Sequence, residues 1–290
     1  MRRALALPAA LLAVSCQRDV PSAHPHYLLG EPYQAGGSWY YPRESFQATE
    51  TGLAMVYPPE HAEFTANGEL FDPAAMAAAH QTLQLPAIAR VTNLENGRQI
   101  LVRINDRGPA TPHRMIELTR RAARLLGMPA DGVARVRLQV LPQQSHDAVD
   151  AVPGAPSLGL TAAPRGAVEQ SDLPPPGRAV SVNAAPTQVA AQPAAAAIAA
   201  PVLRLPEQLI QTAPEPGELF IQLSTFQNYQ YADIQRARVG GLGARIVSTR
   251  EGRVQTHRVV IGPFTSVQQA DVVLDQVLRA GVTDARIVVE

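Results

Sequence analysis

Four short runs between residues 53 and 141 are saturated with aliphatic side chains: "LAMVY" (53–57), "IARVTNL" (88–94), "RQILVRI" (98–104) and "ARVRLQVL" (134–141). Runs of this length, bounded by Gly, Pro and Asn, predict strands. "ENG" (95–97) supplies a hairpin turn between the second and the third. Two segments of helical character interleave with them. "DPAAMAAAHQTL" (72–83) predicts a helix with Asp72 as N-cap and Pro73 at its first position. "TRRAARLLG" (119–127) predicts another, starting at Thr119, stopping at Gly127, and carrying Ala122, Leu125 and Leu126 as its apolar stripe. Many short strands with two small helices predict a compact, mainly β barrel over residues 51–142. Residues 17–50, rich in Gly and aromatics, read as an ordered lead-in.

The pattern then stops. Residues 143–214 are rich in Ala and Pro, poor in aromatics and without a sustained helical face, which predicts a disordered linker. Periodicity returns at residue 215. "LFIQLSTF" (219–226) reads as a strand, "YQYADIQRARVGGLG" (229–243) as a helix, and "ARIVSTREGRVQTHRVVIGPF" (244–264) as two strands across the "REGR" turn. "SVQQADVVLDQVLRAG" (266–281) is a second helix, with Ser266 and Gln269 at capping-box spacing, and "ARIVVE" (285–290) is the last strand. The order βαββαβ predicts an α+β sandwich of one sheet and two helices.

Composition changes the picture at the N-terminus. "MRRALALPAALLAVSC" joins a basic start to an apolar run too short to span a bilayer, and ends at Cys16, the sole cysteine of 290 residues. No intramolecular disulfide can form. "AVSC" resembles a bacterial lipobox, so residues 1–16 read as a lipoprotein signal peptide, with a diacylglycerol on the Cys16 thiol. The expected location is the envelope, at the outer membrane and facing the periplasm. The formal net charge is zero, which gives no basic footprint for nucleic acid. His, Asp and Glu fall at no metal-ligand spacing, and neither a metal nor another cofactor is expected.

The motifs of the first domain fall in a recognisable order: "TANGELFD" (65–72), "AHQTLQLP" (79–86), "ARVTNLENGR" (89–98), "RINDRGP" (103–109) and "MIELTRRAARLLG" (115–127). Together they resemble the double-psi β-barrel of the rare lipoprotein A family. The C-terminal domain resembles the SPOR fold, with "FIQLSTF" (220–226) and "VVIGPF" (259–264) in place of its two signature strands. The resemblance implies an endolytic lytic transglycosylase. Such enzymes cleave peptidoglycan strands that have lost their stem peptides and leave a 1,6-anhydromuramyl end. It also implies action at the septum, where division-site proteins would be partners.

Cutting a glycosidic bond calls for an acid on the leaving oxygen and negative charge near an oxocarbenium-like transition state. Asp106 and Glu69 match the family's acidic pair. Asp106 is expected as general acid then base, and Glu69 as the second carboxylate, acting by like-charge repulsion. Asp72 matches a family active-site acid and reads equally as a helix cap. His80 matches a family active-site histidine and reads equally as a structural residue. Asn105 and Arg107 are expected to orient Asp106 or to bind sugar hydroxyls, and Tyr57 to line the groove.

In the SPOR-like domain Gln222, Ser224 and Phe226 alternate onto one expected glycan-binding face, with Arg258 and Phe264 as neighbours. The aromatic signature of RNA-binding sheets is missing there. One departure stands out. Where the family carries Ser-Trp-Tyr-Gly and then His-Gly-Arg, this chain reads "MVYPPEHAEF" (55–64), one residue shorter, while "SWYY" (38–41) lies upstream. The kept acids favour an enzyme. The altered segment favours the alternative, a non-catalytic glycan-binding scaffold.

Overall fold

The structure, a computed structural model, describes residues 22–111, 113–129, 132–156 and 204–290. Cys16 and most of the Ala/Pro-rich segment lie outside them. The lead-in forms a small hairpin, β1 (Tyr33–Ala35) with β2 (Ser38–Tyr40). The first domain contributes β3 (Thr49–Val56), β4 (Ala77–His80), β5 (Ala87–Asn93), β6 (Arg98–Asp106), β7 (Ile116–Leu118) and β8 (Val133–Val140). Its helices are α1 (Arg120–Leu126) and α2 (Pro142–Asp150).

Around the barrel the strands run β4–β7–β3–β8–β5–β6, and β4 pairs with β6 to close the ring. Two of the pairings are parallel, β3 with β7 and β4 with β6. Inside lie Val91, Ile100, Val102, Ile104, Ile116, Leu118, Val136 and Leu138. Each such side chain contributes roughly 1.5–3 kcal/mol of transfer free energy on burial. Helix α1 forms as its sequence predicts. The Thr119 hydroxyl accepts from the Ala122 N–H and donates to the Ala75 carbonyl, and Gly127 ends the helix at φ +74°.

The segment beginning at Asp72 is not a helix. Residues 77–80 are a strand, with all four side chains buried between β6 and β7. Alanine's helical preference amounts to a few tenths of a kcal/mol per residue over most others. Here a place in two ladders outweighs it, and the small methyls fit the confined space. Asp72 caps a turn instead, accepting from the Ala74 N–H at 2.8 Å.

The barrel domain also runs past its expected end at residue 142. Helix α2 packs on β5, where the Ser145 hydroxyl bonds both the N–H and the carbonyl of Ile88. Residues 204–217 do not hang free of the barrel either. Leu205 packs against the barrel core, and β9 (Ile210–Gln211) adds to the start of β6.

The C-terminal domain has the expected βαββαβ order: β10 (Leu219–Phe226), α3 (Tyr229–Arg238), β11 (Arg245–Glu251), β12 (Val254–Phe264), α4 (Val267–Arg279) and β13 (Arg286–Val289). Its sheet is ordered β11–β12–β10–β13 and antiparallel throughout. Leu219, Ile221, Leu223, Val259 and Ile261 form its core with Ala270, Leu274 and Val277 of α4. The Ser266 hydroxyl caps α4 by accepting from the Gln269 N–H. Leu53 and Leu94 of the barrel join this core, and Arg114 grips Asp271 of α4 with two hydrogen bonds.

Candidate active site

Asp106 ends β6, where the apolar run gives way to the 107–109 loop. A ladder irregularity sets its direction. Ala78 pairs with Ile104 but Ala79 pairs with Asp106, so Asn105 is the extra residue of a bulge. A slip of one residue turns a strand's side chains to the opposite face, and bulges are a common way to re-aim a side chain at a site.

Asp106 is 6% exposed, yet three of its four hydrogen-bond contacts come from donors. Oδ1 accepts from the backbone N–H groups of Ala66 and Arg107, each at 2.8 Å. Oδ2 accepts from the Tyr57 hydroxyl at 3.3 Å and lies 2.8 Å from His61 Nε2. His61 Nδ1 faces the Ala62 carbonyl at 2.7 Å, so that nitrogen carries a proton. Three contacts, from two backbone N–H groups and the Tyr57 hydroxyl, are donors that suit a carboxylate, and charge-assisted bonds of this kind are the strong ones; the fourth, to His61 Nε2, needs one shared proton. The rings of Tyr57, His61 and Phe71 cluster above it, His61 stacking on Phe71 at 4.0 Å.

Glu69 is differently placed. Arg103 bonds it through Nε and Nη2, at 3.0 and 2.8 Å to Oε1, and Asn67 and Asn105 each donate to it at 2.8 Å. Its charge is met by a buried guanidinium, so it is an anchor for Asn105, the residue before Asp106. Asn105 is thus committed to Glu69 rather than exposed to a sugar.

Arg107 orients Asp106 only through its backbone. Its guanidinium turns away, to the carbonyls of Leu83 and Leu29, and ties the lead-in to the barrel. His80 ends β4, 2% exposed, with Nδ1 accepting from the N–H groups of Thr82 and Leu83. Burial holds its ring below the usual imidazole range, and no bond joins it to Asp106. Tyr57 and Asp72 line a cavity of about 350 Å³ beside Glu69 and Asn105, which Leu205 borders from the far end of the linker. Among the described residues no cluster of His, Cys, Asp and Glu could hold a metal ion.

Two residues at this site carry no strong mark in the sequence. His61 lies in the shortened 55–64 segment, four residues before the "TANG" turn, and its signal was the histidine of the family's His-Gly-Arg stretch. Glu117 is the middle residue of β7, half-buried, on a strand too short to show a period. Burial, followed by the negative charge of Asp106, pushes its carboxyl up to about 7, with His61 pulling the other way.

On the second domain, β10 slips register against β12 between Gln222 and Thr225. Gln222 shares a row with Val260, Arg245 and Arg286, and Thr225 shares one with Arg258, all on the face without helices. The slip turns Phe226 to the other side, where it packs on the helix-side core near Tyr231. Phe264 also belongs to that core. Ser224 donates to Asp284 at 2.6 Å. The face is therefore Gln222 with Thr225, beside the Arg245 guanidinium that lies over the Phe220 ring, rather than Gln222 with Phe226.

The barrel, residues 49–138, matches the lytic transglycolase family model, and residues 215–287 match the SPOR domain model. The endolytic peptidoglycan transglycosylase RlpA of Pseudomonas aeruginosa strain UCBPP-PA14 is 33% identical over 265 residues, which cover 89% of this chain and 76% of that one. Its namesake in Helicobacter pylori strain J99 is 45% identical over 112 residues, 38% of this chain and 36% of that one. The solved SPOR domain of RlpA from Pseudomonas aeruginosa aligns with 25% of this chain at 24% identity and a TM-score of 0.24, covering 99% of that domain. The chain belongs to the RlpA family, with a lytic transglycosylase barrel followed by a SPOR domain.

Proposed function

We propose that this lytic transglycosylase cleaves glycan strands stripped of their stem peptides, at the division septum, and leaves 1,6-anhydromuramyl ends. Asp106 stands at the reaction centre. The observation that carries this reading is the bulge at Asn105, which aims a buried carboxylate at Tyr57 and His61 on the rim of the barrel. A negative charge so placed stabilises an oxocarbenium-like transition state. The muramyl 6-hydroxyl then closes on C1, so no water needs activating.

The preference for stripped strands rests on the SPOR sheet. Removing a stem peptide frees the lactyl carboxylate of each muramic acid. Gln222 in a row with Arg245 and Arg286 offers side-chain hydrogen bonds to sugar hydroxyls and guanidinium partners to such a carboxylate. The reading as a non-catalytic scaffold rested on the altered 55–64 segment, and that segment delivers both Tyr57 and His61 to Asp106.

The test is digestion of peptidoglycan with and without prior amidase treatment, with products read by mass spectrometry. Anhydromuramyl products from the amidase-treated material alone are expected. Equal release from both would end the claim of preference. Anchoring through a lipid on Cys16, facing the periplasm from the outer membrane, belongs to the same proposal. Under it, Cys16→Ser moves the protein from the membrane to the soluble fraction, and unchanged fractionation would sink the anchor.

A further inference from the structure

We propose that Glu117, rather than Glu69 or Asp106, is the group that delivers the proton to the glycosidic oxygen, with Asp106 as its anionic partner. This rests on the reading of the barrel as a transglycosylase. β4 lies between β7 and β6, and Ala79 pairs with Glu117 on one side and with Asp106 on the other. Residues in one row of a sheet rise on the same face, so the two carboxyl groups flank the Ala79 methyl. Two strand spacings put their Cα atoms roughly 10 Å apart, and both side chains can lean inward over the small residue between them.

Gly108 fixes where the Glu117 carboxyl ends. At φ +151° a Cβ on residue 108 would stand 2.8 Å from Glu117 Oε2 and 3.4 Å from Ala79 Cβ. The Glu117 carboxyl therefore reaches across Ala79 to the loop that follows Asp106. A side chain at 108 would drive it out.

The environments of the three acids separate their roles. Glu69 is held by Arg103 through two hydrogen bonds, which commits it to that buried pair. Asp106 accepts from two backbone N–H groups and lies against Tyr57 and His61. Glu117 has no such guanidinium, and its carboxyl sits near 7 because burial and Asp106 favour the neutral form. The charged and titratable groups around it are Asp106 from β6, His61 from the 57–65 loop and Tyr57 at the end of β3. An acid that holds its proton near neutrality and can also release it there suits this chemistry.

The step balances. The Glu117 proton passes to O4 of the leaving sugar as the C1–O4 bond breaks and its electron pair stays on O4. The cationic C1 faces the Asp106 carboxylate. O6 of the muramyl residue then bonds to C1, and its proton returns to the Glu117 carboxylate, which restores the acid.

The full chain and its Glu117→Gln and Asp106→Asn variants serve as the test, with melting temperature as the folding control. Two readouts are needed. In the first, kcat/KM of the wild type for amidase-treated peptidoglycan falls above about pH 7, while folded Glu117→Gln loses at least ~10²-fold in kcat and shows no such limb. In the second, carboxyl-labelled Glu117 titrates lower in Asp106→Asn than in the wild type, because a like charge is gone. This second readout needs no activity and decides the matter if Glu117→Gln fails to fold. A folded Glu117→Gln with wild-type rates, or a Glu117 titration unmoved by Asp106→Asn, overturns the assignment and leaves the transglycosylase reading in place. A wild type that makes no anhydromuramyl ends removes both.

Discussion

His61 Nε2 lies 2.8 Å from Asp106 Oδ2, while its Nδ1 is spent on the Ala62 carbonyl. One proton sits on the Nε2–Oδ2 contact, so the pair acts as a unit. His61 also stacks on Phe71 and thereby fixes the segment over the carboxylate. His61→Ala is expected to cost about 10²-fold in rate, the scale of a misplaced reacting group. His61→Gln keeps an N–H in reach of Oδ2 and should retain most of the activity. Initial rates of anhydromuramyl release measure both, and equal rates for Ala and Gln would remove the hydrogen bond from the account.

Glu69 and Arg103 form a buried pair with 2.8 Å between Oε1 and Nη2. Removing one partner leaves an uncompensated buried charge. Glu69→Ala is expected to lose ~3–5 kcal/mol of stability, by denaturant unfolding. Asp106→Asn, isosteric and without a buried guanidinium partner to strand, should lose far less. A Glu69→Ala chain as stable as the wild type would show that the ion pair does not hold the site together.

Glu117 ties stability to pH with a definite sign. Its carboxyl titrates near 7 in the folded chain, above the ordinary carboxylate value it recovers on unfolding. Between those two values the native state binds more protons than the unfolded state. Stability from this group therefore falls as pH rises from about 4.5 to about 7 and levels off beyond. Glu117→Gln should flatten that part of the melting-temperature profile. Identical profiles for the two proteins would contradict the shift.

The slipped register of β10 separates two residues that simple alternation joins. Gln222→Ala should weaken binding of the protein to stripped peptidoglycan, because Gln222 lies on the helix-free face. Phe226→Ala should bind as well as the wild type but lose ~2 kcal/mol, less than a fully buried Phe, since its ring is half-covered by the helix side. Co-sedimentation and thermal melts distinguish the two. Weaker binding by a stable Phe226→Ala would return that ring to the binding face.

Strong local patterns carried over into the fold. The runs at 53–57, 88–94, 98–104 and 134–141 are strands because each buries a continuous aliphatic face, and α1 carries its own cap and stop. β4 was hidden by its alanines, whose helical preference yields to two ladders that no local window contains. The buried acids divided the same way. The position of Asp106 was legible because an acid ending an apolar run is unusual. Its neighbour was not, since Glu117 is brought beside it by Ala79, a residue paired to both from a third strand. Glu69 looked catalytic because its neutralising Arg103 reads in sequence as one more alternating polar residue of β6.

The most direct measurement compares the wild type with Asp106→Asn on amidase-treated peptidoglycan, with soluble products resolved by mass spectrometry. The wild type should release 1,6-anhydromuramyl ends, and the variant at least ~10³-fold fewer at an unchanged melting temperature. A folded Asp106→Asn that releases them at the wild-type rate would contradict the account, as would reducing muramyl ends in place of anhydro ends.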